Sequence, residues 1–486
     1  MRLFFFFVLP LVFTSCVTEQ PLLGQPIPEL VTELANASEL RNAQIGIDVI
    51  DLATGERIAG FQPDRSLIPA STQKLLTTAV ALDVLGPDAT FQTRLIADGT
   101  IENGTLTGHL FLVGGGDPCL GSPVMDEAID LDAQLNRWVN AVWAAGIRRI
   151  EGYVIGDGSY FGTEGHTLSW PWSDIGNYYG VGAYGLNLHE NYYFLDFQQQ
   201  RELEAIPPIS GTRPEIPSLV FQNEVRTAGP ETGDNAYIFG APYNYRHFVR
   251  GTIPAGSGRF TIKGAVPDPP LFAAQQLQAA LEARGVATVR PAASSQWLDL
   301  RYESGGQVLH EQSSPNLLAI AGRTNLRSVN LYAEALLRQI NKHQAQPTHR
   351  LGTTSTIIQW LSEQGISTEG VRLNDGSGLS PRNYFPPRML TALLRRMDGN
   401  TDYLNTIPLA GRTGSLRNSL KGTSAEGRLY AKSGSVDGVR CYAGYVHRSD
   451  GQQLAFAVMV NNYTTSGSTV RRLLQEFMVG LCVAEL

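Results

Sequence analysis

A metal-binding pattern is missing from this sequence. Its eight histidines form no ligand spacing of the His-Glu-x-x-His kind, which sets a zinc peptidase aside. No basic run interrupts a net charge of −7, so nucleic acid is not an expected partner. Glycines cluster at Gly114-Gly115-Gly116-Asp117, but no Gly-Lys-Ser or Gly-Lys-Thr follows. A tight turn is expected there in place of a phosphate loop, and no cofactor or metal is implied. Cysteine is scarce, with only Cys16, Cys119, Cys441 and Cys482. Once Cys16 is set apart an odd number remains, so at most one disulfide can form and nothing in the spacing selects it. Buried free thiols are the expectation.

What is present reads as a globular chain of more than one core. Its 486 residues favour two or three domains, and 43% apolar with 17% charged residues argue against disorder. Residues 1–16 have the makeup of a targeting segment: Arg2, an apolar run from Leu3 to Phe13 too short for a comfortable membrane span, then Phe13-Thr14-Ser15-Cys16. This resembles a bacterial lipoprotein signal, with Cys16 as the lipidated first residue and a lipid anchor in a membrane; a plain secretory signal is the alternative. Both place the mature protein outside the cytoplasm, in the periplasm. Residues 17–39, with Pro21, Pro26 and Pro28, read as a tether.

Chemistry concentrates at Pro69-Ala70-Ser71-Thr72-Gln73-Lys74, a Ser-x-x-Lys that opens an apolar helix. One helical turn separates Ser71 from Lys74, so hydroxyl and amine share a face. Serine is a weak nucleophile without a base, and a desolvated lysine can become one. Alone, the motif is equally an ordinary helix start. Ser328-Val329-Asn330 at the start of a second helix, and Lys432-Ser433-Gly434 in a strand-like run, change its weight. The trio is similar to the signature of class A β-lactamases and penicillin-binding proteins.

Further blocks sharpen the resemblance. Gly114-Gly115-Gly116-Asp117-Pro118, Asp375-Gly376-Ser377-Gly378-Leu379-Ser380, Pro408-Leu409-Ala410-Gly411, Tyr430-Ala431-Lys432-Ser433-Gly434-Ser435 and Ala443-Gly444-Tyr445-Val446 stand in the order of one family. The chain resembles the D-alanyl-D-alanine carboxypeptidases/endopeptidases, the low-molecular-mass class C penicillin-binding proteins, over roughly residues 40–480. It departs in reading Lys-Ser-Gly for the usual Lys-Thr-Gly, and in having Val329 between Ser328 and Asn330.

The resemblance implies an α+β fold: a serine β-lactamase/penicillin-binding-protein-like transpeptidase domain, an antiparallel sheet flanked by helices, interrupted by two inserted β-rich domains. The catalytic domain is expected at 40–88 and 286–486, an insert at 89–285, and a nested third domain at about 186–265. Ser71 is expected to attack the carbonyl of the penultimate D-alanine of a peptidoglycan stem peptide, with Lys74 accepting its proton. Ser328 is to relay a proton to the leaving nitrogen, Asn330 to orient Lys74 and the substrate, and Lys432 and Ser433 to hold the terminal carboxylate. The backbone N–H groups of Ser71 and Ser435 form the implied oxyanion hole, and Gly434 is expected to admit substrate backbone. Ser377, Asp174 and Arg382 complete the expected substrate contacts, Asp174 facing the amine of a diaminopimelate side chain. β-Lactam antibiotics would acylate Ser71 covalently. A β-lactamase-type hydrolase and a non-catalytic peptidoglycan-binding lipoprotein are the alternatives, and no oligomeric state can be read.

Local patterning fills in the rest. Gln44–Asp51 and Arg57–Phe61 read as a hairpin around Thr54-Gly55, and 90–113 as a meander broken at Asp98-Gly99 and Asn103-Gly104. Helices are expected near 133–145, 272–283, 317–324, 328–341, 353–364 and 387–397, and strands near 428–434, 440–448 and 453–461. The stripe Val470, Leu473, Leu474, Phe477, Met478, Leu481 marks a core-facing last helix, with an interfacial membrane helix as the alternative.

Overall fold

The computed structural model describes residues 25–347, 349 and 352–484; the expected signal segment with Cys16 lies outside them. Two groups of helices enclose a five-stranded antiparallel sheet. In spatial order its strands are Leu429–Val436, Val439–His447, Gln453–Asn461, Gln44–Asp51 and Arg57–Phe61. Side chains alternate between the faces. Cys441, Ala443, Tyr445, Ala455, Ala457 and Met459 enter one core with the helices Lys74–Leu85, Leu317–Arg327, Asn330–His343, Ser355–Glu363 and Pro387–Arg396. Tyr442, Val446, Leu454, Phe456 and Val458 enter the other, with the helices Ile27–Ala35 and Gly467–Val483. Because both faces are covered, Gln453–Asn461 is buried at every position after its first and reads as an apolar run.

In the described part of the expected 17–39 tether, Ile27–Ala35 is a helix. Pro26 and Pro28, taken as linker signals, sit at its start, where a fixed φ and a missing N–H cost nothing. Ile27, Leu30, Val31 and Leu34 follow at helical spacing and are buried in the core shared with the last helix. That last helix buries Val470, Leu474, Phe477, Met478 and Leu481, the core-facing outcome. Among the described residues no helix is long and apolar enough to cross a membrane.

Between the helix Lys74–Leu85 and Leu317 the chain builds a separate core. A seven-stranded mixed sheet contains the hairpin Gln92–Glu102 and Thr105–Gly114. Its turn is Asn103-Gly104; Asp98-Gly99 lies inside the strand, where Gly99 faces Gly108 across the pair. A side chain at either glycine would strike the opposing backbone, which explains two glycines that look like a turn signal. The helices Leu131–Ala144 and Pro269–Ala283 cover this sheet, and two three-stranded sheets built from Tyr192–Ala265 pack with it in one apolar cluster. The sheet runs beyond the expected end at 285. Ala287–Thr288, Ala293–Ser294 and Gln307–Ser313 all pair with insert strands, so the catalytic part resumes only after Ser313.

Candidate active site

Ser71, the expected nucleophile, sits on a turn. Ala70–Gln73 is a 3-10 segment, and the α-helix proper begins at Lys74 and stops at Gly86, which takes φ 82°. Ala70 itself holds φ 47°, a left-handed conformation costly for a residue with a Cβ. The surrounding packing fixes it. Gly378 lies so close that a Cβ there would collide with the Ala70 carbonyl, and Thr72 Oγ1 donates to the Pro69 carbonyl at 2.7 Å.

Lys74 is fully buried and its ammonium has three acceptors: Ser71 Oγ at 2.9 Å, Asn330 Oδ1 at 2.6 Å and the Ser377 carbonyl at 2.7 Å. Burial pushes its pKa down to about 7, against the opposing pull of the Asp375 and Glu334 carboxylates. An amine with that proton affinity can exchange a proton with a serine hydroxyl near neutral pH.

Ser328 joins two helices. It ends Leu317–Arg327 in a left-handed conformation, φ 60°, one residue before the helix start at Val329-Asn330. Its hydroxyl accepts from Lys432 Nζ at 2.9 Å, while the same ammonium donates to the Ser433 carbonyl at 2.8 Å. Lys432 is fully buried, and burial followed by the charge of Lys74 lowers its pKa well below the ordinary lysine value. Two buried ammonium groups oppose each other, so a proton on Lys432 favours a neutral Lys74.

Lys432, Ser433, Gly434 and Ser435 lie on the edge strand Leu429–Val436, paired with Ala443, Tyr442, Cys441 and Arg440 respectively. At Gly434, expected from the sequence to admit substrate backbone, the close neighbour in the structure is the Ser71 turn. A Cβ there would stand 2.5 Å from the Pro69 carbonyl oxygen, 2.9 Å from Thr72 N and 3.0 Å from Ser71 N. The missing side chain lets the strand close onto the nucleophile turn. This brings together the two elements that carry the Ser71 and Ser435 backbone N–H groups. Ser433 Oγ lies 3.3 Å from Ser415 Oγ, a hydroxyl that no sequence motif singled out.

The segment Asp375–Ser380 supports the site from behind. Asp375 is buried and accepts from Trp170 Nε1 at 2.8 Å, Gly378 N at 2.8 Å, Ser380 N at 2.6 Å and Asn383 Nδ2 at 2.8 Å. Ser377, expected to touch substrate, is fully buried; its carbonyl receives Lys74 and its N–H donates to Glu334 Oε1 at 2.8 Å. Arg382 is exposed, and its backbone bonds to Asn374 Nδ2 and Ser380 Oγ.

Asp174 stands in the short helix Trp172–Ile175, half-buried, with Ser173 Oγ at 3.3 Å and the Tyr179 hydroxyl at 3.4 Å. Burial raises its pKa. Tyr179 connects it to the catalytic cluster, because its carbonyl accepts from Asn330 Nδ2 at 2.7 Å. The insert therefore contributes directly to the geometry of Asn330.

Sequence reasoning missed Glu334, Trp170 and Ser415. Glu334 had one legible signal: a lone carboxylate in Leu331-Tyr332-Ala333-Glu334-Ala335-Leu336-Leu337, which burial obliges to find partners. The three cysteines of the described residues are buried and unpaired. No group of acidic, histidine or cysteine side chains able to hold a metal ion occurs among the described residues.

Known proteins resemble this chain. Residues 28–482 match the family described as D-Ala-D-Ala carboxypeptidase 3 (S13). The D-alanyl-D-alanine carboxypeptidase of Actinomadura sp. is 29% identical over 87% of this chain and 79% of its own. The D-alanyl-D-alanine carboxypeptidase DacB of Haemophilus influenzae is 26% identical over 87% of this chain and 86% of its own. The crystal structure of penicillin binding protein 4 from Haemophilus influenzae superposes with a TM-score of 0.77 at 25% identity, covering 93% of this chain and 98% of that one.

Proposed function

The chain belongs to the D-Ala-D-Ala carboxypeptidase 3 (S13) family, and we propose that it cleaves D-Ala-D-Ala peptides of peptidoglycan through an acyl-enzyme on Ser71. The observation that carries this reading is Lys74 Nζ at 2.9 Å from Ser71 Oγ, inside a pocket that holds the amine near neutrality.

This reading gives each residue around Ser71 a step. Neutral Lys74 takes the Ser71 proton as Oγ adds to the carbonyl carbon of the penultimate D-alanine. The negative oxygen that forms is held by the backbone N–H groups of Ser71 and Ser435, one such donor being worth roughly 3 kcal/mol of barrier. Lys432 and Ser433 bind the terminal carboxylate, whose charge favours the protonated form of Lys432. Ser328, hydrogen-bonded to that ammonium, passes a proton to the departing nitrogen and regains one from it. The C–N bond breaks, free D-alanine leaves, and an ester remains on Ser71. The proton that Lys74 took from Ser71 then passes to the neutral Lys432, restoring both lysines; water adds to the ester as Lys74 takes its proton, and the ester C–O bond breaks as Lys74 returns that proton to Ser71 Oγ, releasing the shortened peptide.

The same chemistry on a crosslink, where the leaving amine belongs to a second stem peptide, gives an endopeptidase. Asp174 is assigned the free amine of a diaminopimelate side chain, with Arg382 flanking the groove. A β-lactam presents an equivalent carbonyl and acylates the same serine; penicillin binding protein 4 of Haemophilus influenzae has been crystallised in complex with a β-lactam. The substrate places the enzyme outside the cytoplasm, and Cys16 is assigned as the lipidated residue that anchors it.

Labelling with fluorescent penicillin tests this directly. The wild type is expected to carry a stable label that Ser71→Ala lacks, and mass spectrometry is expected to find D-alanine released from uncrosslinked wall fragments. An unlabelled wild type would point to a non-catalytic wall-binding protein, and rapid penicillin turnover to a β-lactamase.

A further inference from the structure

The base in this site must be aimed as well as deprotonated. A neutral Lys74 carries two hydrogens and one lone pair, arranged tetrahedrally with the Cε bond. Two of its three hydrogen-bond partners, Asn330 Oδ1 and the Ser377 carbonyl, can only accept, so they take the two hydrogens. The lone pair is left facing Ser71 Oγ, the one partner that can donate. Base and nucleophile are matched only while both acceptors stay in place.

One helix holds both. Asn330 begins the helix Asn330–His343, and Glu334 lies one turn further along the same face. Glu334 Oε1 accepts the backbone N–H of Gly376 at 3.0 Å and of Ser377 at 2.8 Å, which anchors the two peptides leading into the Ser377–Gly378 peptide whose carbonyl meets Lys74; the N–H of that last peptide, on Gly378, donates to Asp375 Oδ1 at 2.8 Å. Its other oxygen faces Arg338 Nη1 at 3.8 Å, and the pair is almost wholly buried. Oriented dipoles in a dry pocket act without reorganising during reaction, and a misplacement of about 1 Å can cost ~10²-fold in rate.

We propose that Glu334 is the positioning residue that, through the Ser377 carbonyl, aims the lone pair of neutral Lys74 at the Ser71 hydroxyl. The inference rests on the acyl-enzyme reading above and deepens it. The carboxylate also acts through charge. Asp375 from the adjacent loop, Lys74 from the nucleophile helix and Arg338 from its own helix are the charged groups around it, with His166, Glu164 and Tyr184 of the insert beyond Arg338. Burial, then the Asp375 charge, push Glu334 up to about 7 despite Arg338, and its negative form raises the proton affinity of Lys74.

Two conservative variants separate geometry from charge. Glu334→Gln keeps an oxygen for the two N–H groups and removes the charge; Glu334→Asp keeps the charge and withdraws the oxygen by one methylene. Penicillin acylation rates are measured against pH for both and for the wild type, with folding checked by circular dichroism. Glu334→Gln is expected to keep the plateau rate within about tenfold while its acid limb moves to lower pH by ~0.5–1 unit, since a neighbouring negative charge is lost. Glu334→Asp is expected to lose ~10²-fold in plateau rate with its limb in place. A wild-type rate in Glu334→Asp, or an unmoved limb in Glu334→Gln, overturns the proposal. Failure of the wild type to acylate would instead sink the acyl-enzyme reading.

Discussion

The indole N–H of Trp170, in the inserted part of the chain, donates to the Asp375 carboxylate of the catalytic part at 2.8 Å, and both residues are buried. Asp375 in turn is one of the two carboxylates that bear on Lys74. The insert is therefore joined to the catalytic machinery at a charged group close to the base. Ser169 Oγ to Ser380 Oγ at 2.7 Å and Tyr179 O to Asn330 Nδ2 at 2.7 Å repeat the connection on either side.

Trp170→Phe removes that donor while keeping most of the ring. It is expected to destabilise the protein by ~1–3 kcal/mol, the cost of an under-satisfied buried carboxylate, and to slow acylation along with it. Urea unfolding of the variant beside the wild type measures the first effect, and penicillin acylation the second.

On the proposed mechanism, Lys74 sets the pH dependence of the first chemical step. Burial holds it at about 7, and only the neutral amine can accept the Ser71 proton. Acylation is expected to fall about tenfold for each pH step of one below that value and to level off above it. Stopped-flow acylation by a chromogenic β-lactam from about pH 5 to 9 checks the limb.

Ser328 combines a hydroxyl bonded to Lys432 with an unfavourable backbone. Ser328→Gly relieves the φ of 60° and removes the hydroxyl proposed to protonate the leaving group. Stability is expected to hold or rise by up to about 1 kcal/mol, since glycine adopts this region freely. Acylation is expected to drop by ~10²-fold or more. A matched pair of melting curves and acylation rates reads both.

Gly434→Ala is expected to fold and to acylate slowly. The new methyl meets three backbone atoms of the nucleophile turn within 3.0 Å, and backbone cannot rotate away as a side chain does. The strand must retreat, taking the Ser435 N–H from its place; a loss of ~10²-fold is expected. Normal folding with unchanged acylation would show that this contact does not set the hole.

Asp117 makes stability depend on pH away from the site. Burial raises its pKa from 3.8 to about 7, opposed by the N–H of Cys119 that it accepts at 2.7 Å. The folded state thus keeps a proton that the unfolded chain has already released. Its stabilising share is complete below about pH 4 and is lost as pH rises towards 7, with a slope of at most about 1.4 kcal/mol for each step of one in pH. Asp117→Asn lacks this loss, so its melting temperature is expected to gain on the wild type across that window and to keep the gain above it.

Much of the frame is legible because it is local. Ser71 and Lys74 lie on one turn, and the strands Val439–His447 and Gln453–Asn461 fall within a residue of their expected bounds. What escaped depends on partners distant in sequence. Nothing near Trp170 announces Asp375, and nothing near Gly376 announces Glu334. The insert's end was misplaced because Ala287–Thr288 and Ala293–Ser294 are too short for periodicity, while Gln307–Ser313 is a largely exposed edge with no apolar alternation. Pro26 and Pro28 misled for another reason: proline signals a helix start as readily as a linker.

The order of strands in the five-stranded sheet governs when that sheet can exist. Gln44–Asp51 is flanked by Gln453–Asn461, so the earliest strand waits for one of the latest before it has a neighbour on that side. Closing so long a loop is slow, whereas the insert draws its strands from a single continuous stretch. During synthesis the middle of the chain is expected to acquire protease resistance first, and the pocket around Ser71 to assemble only once the final strands have emerged.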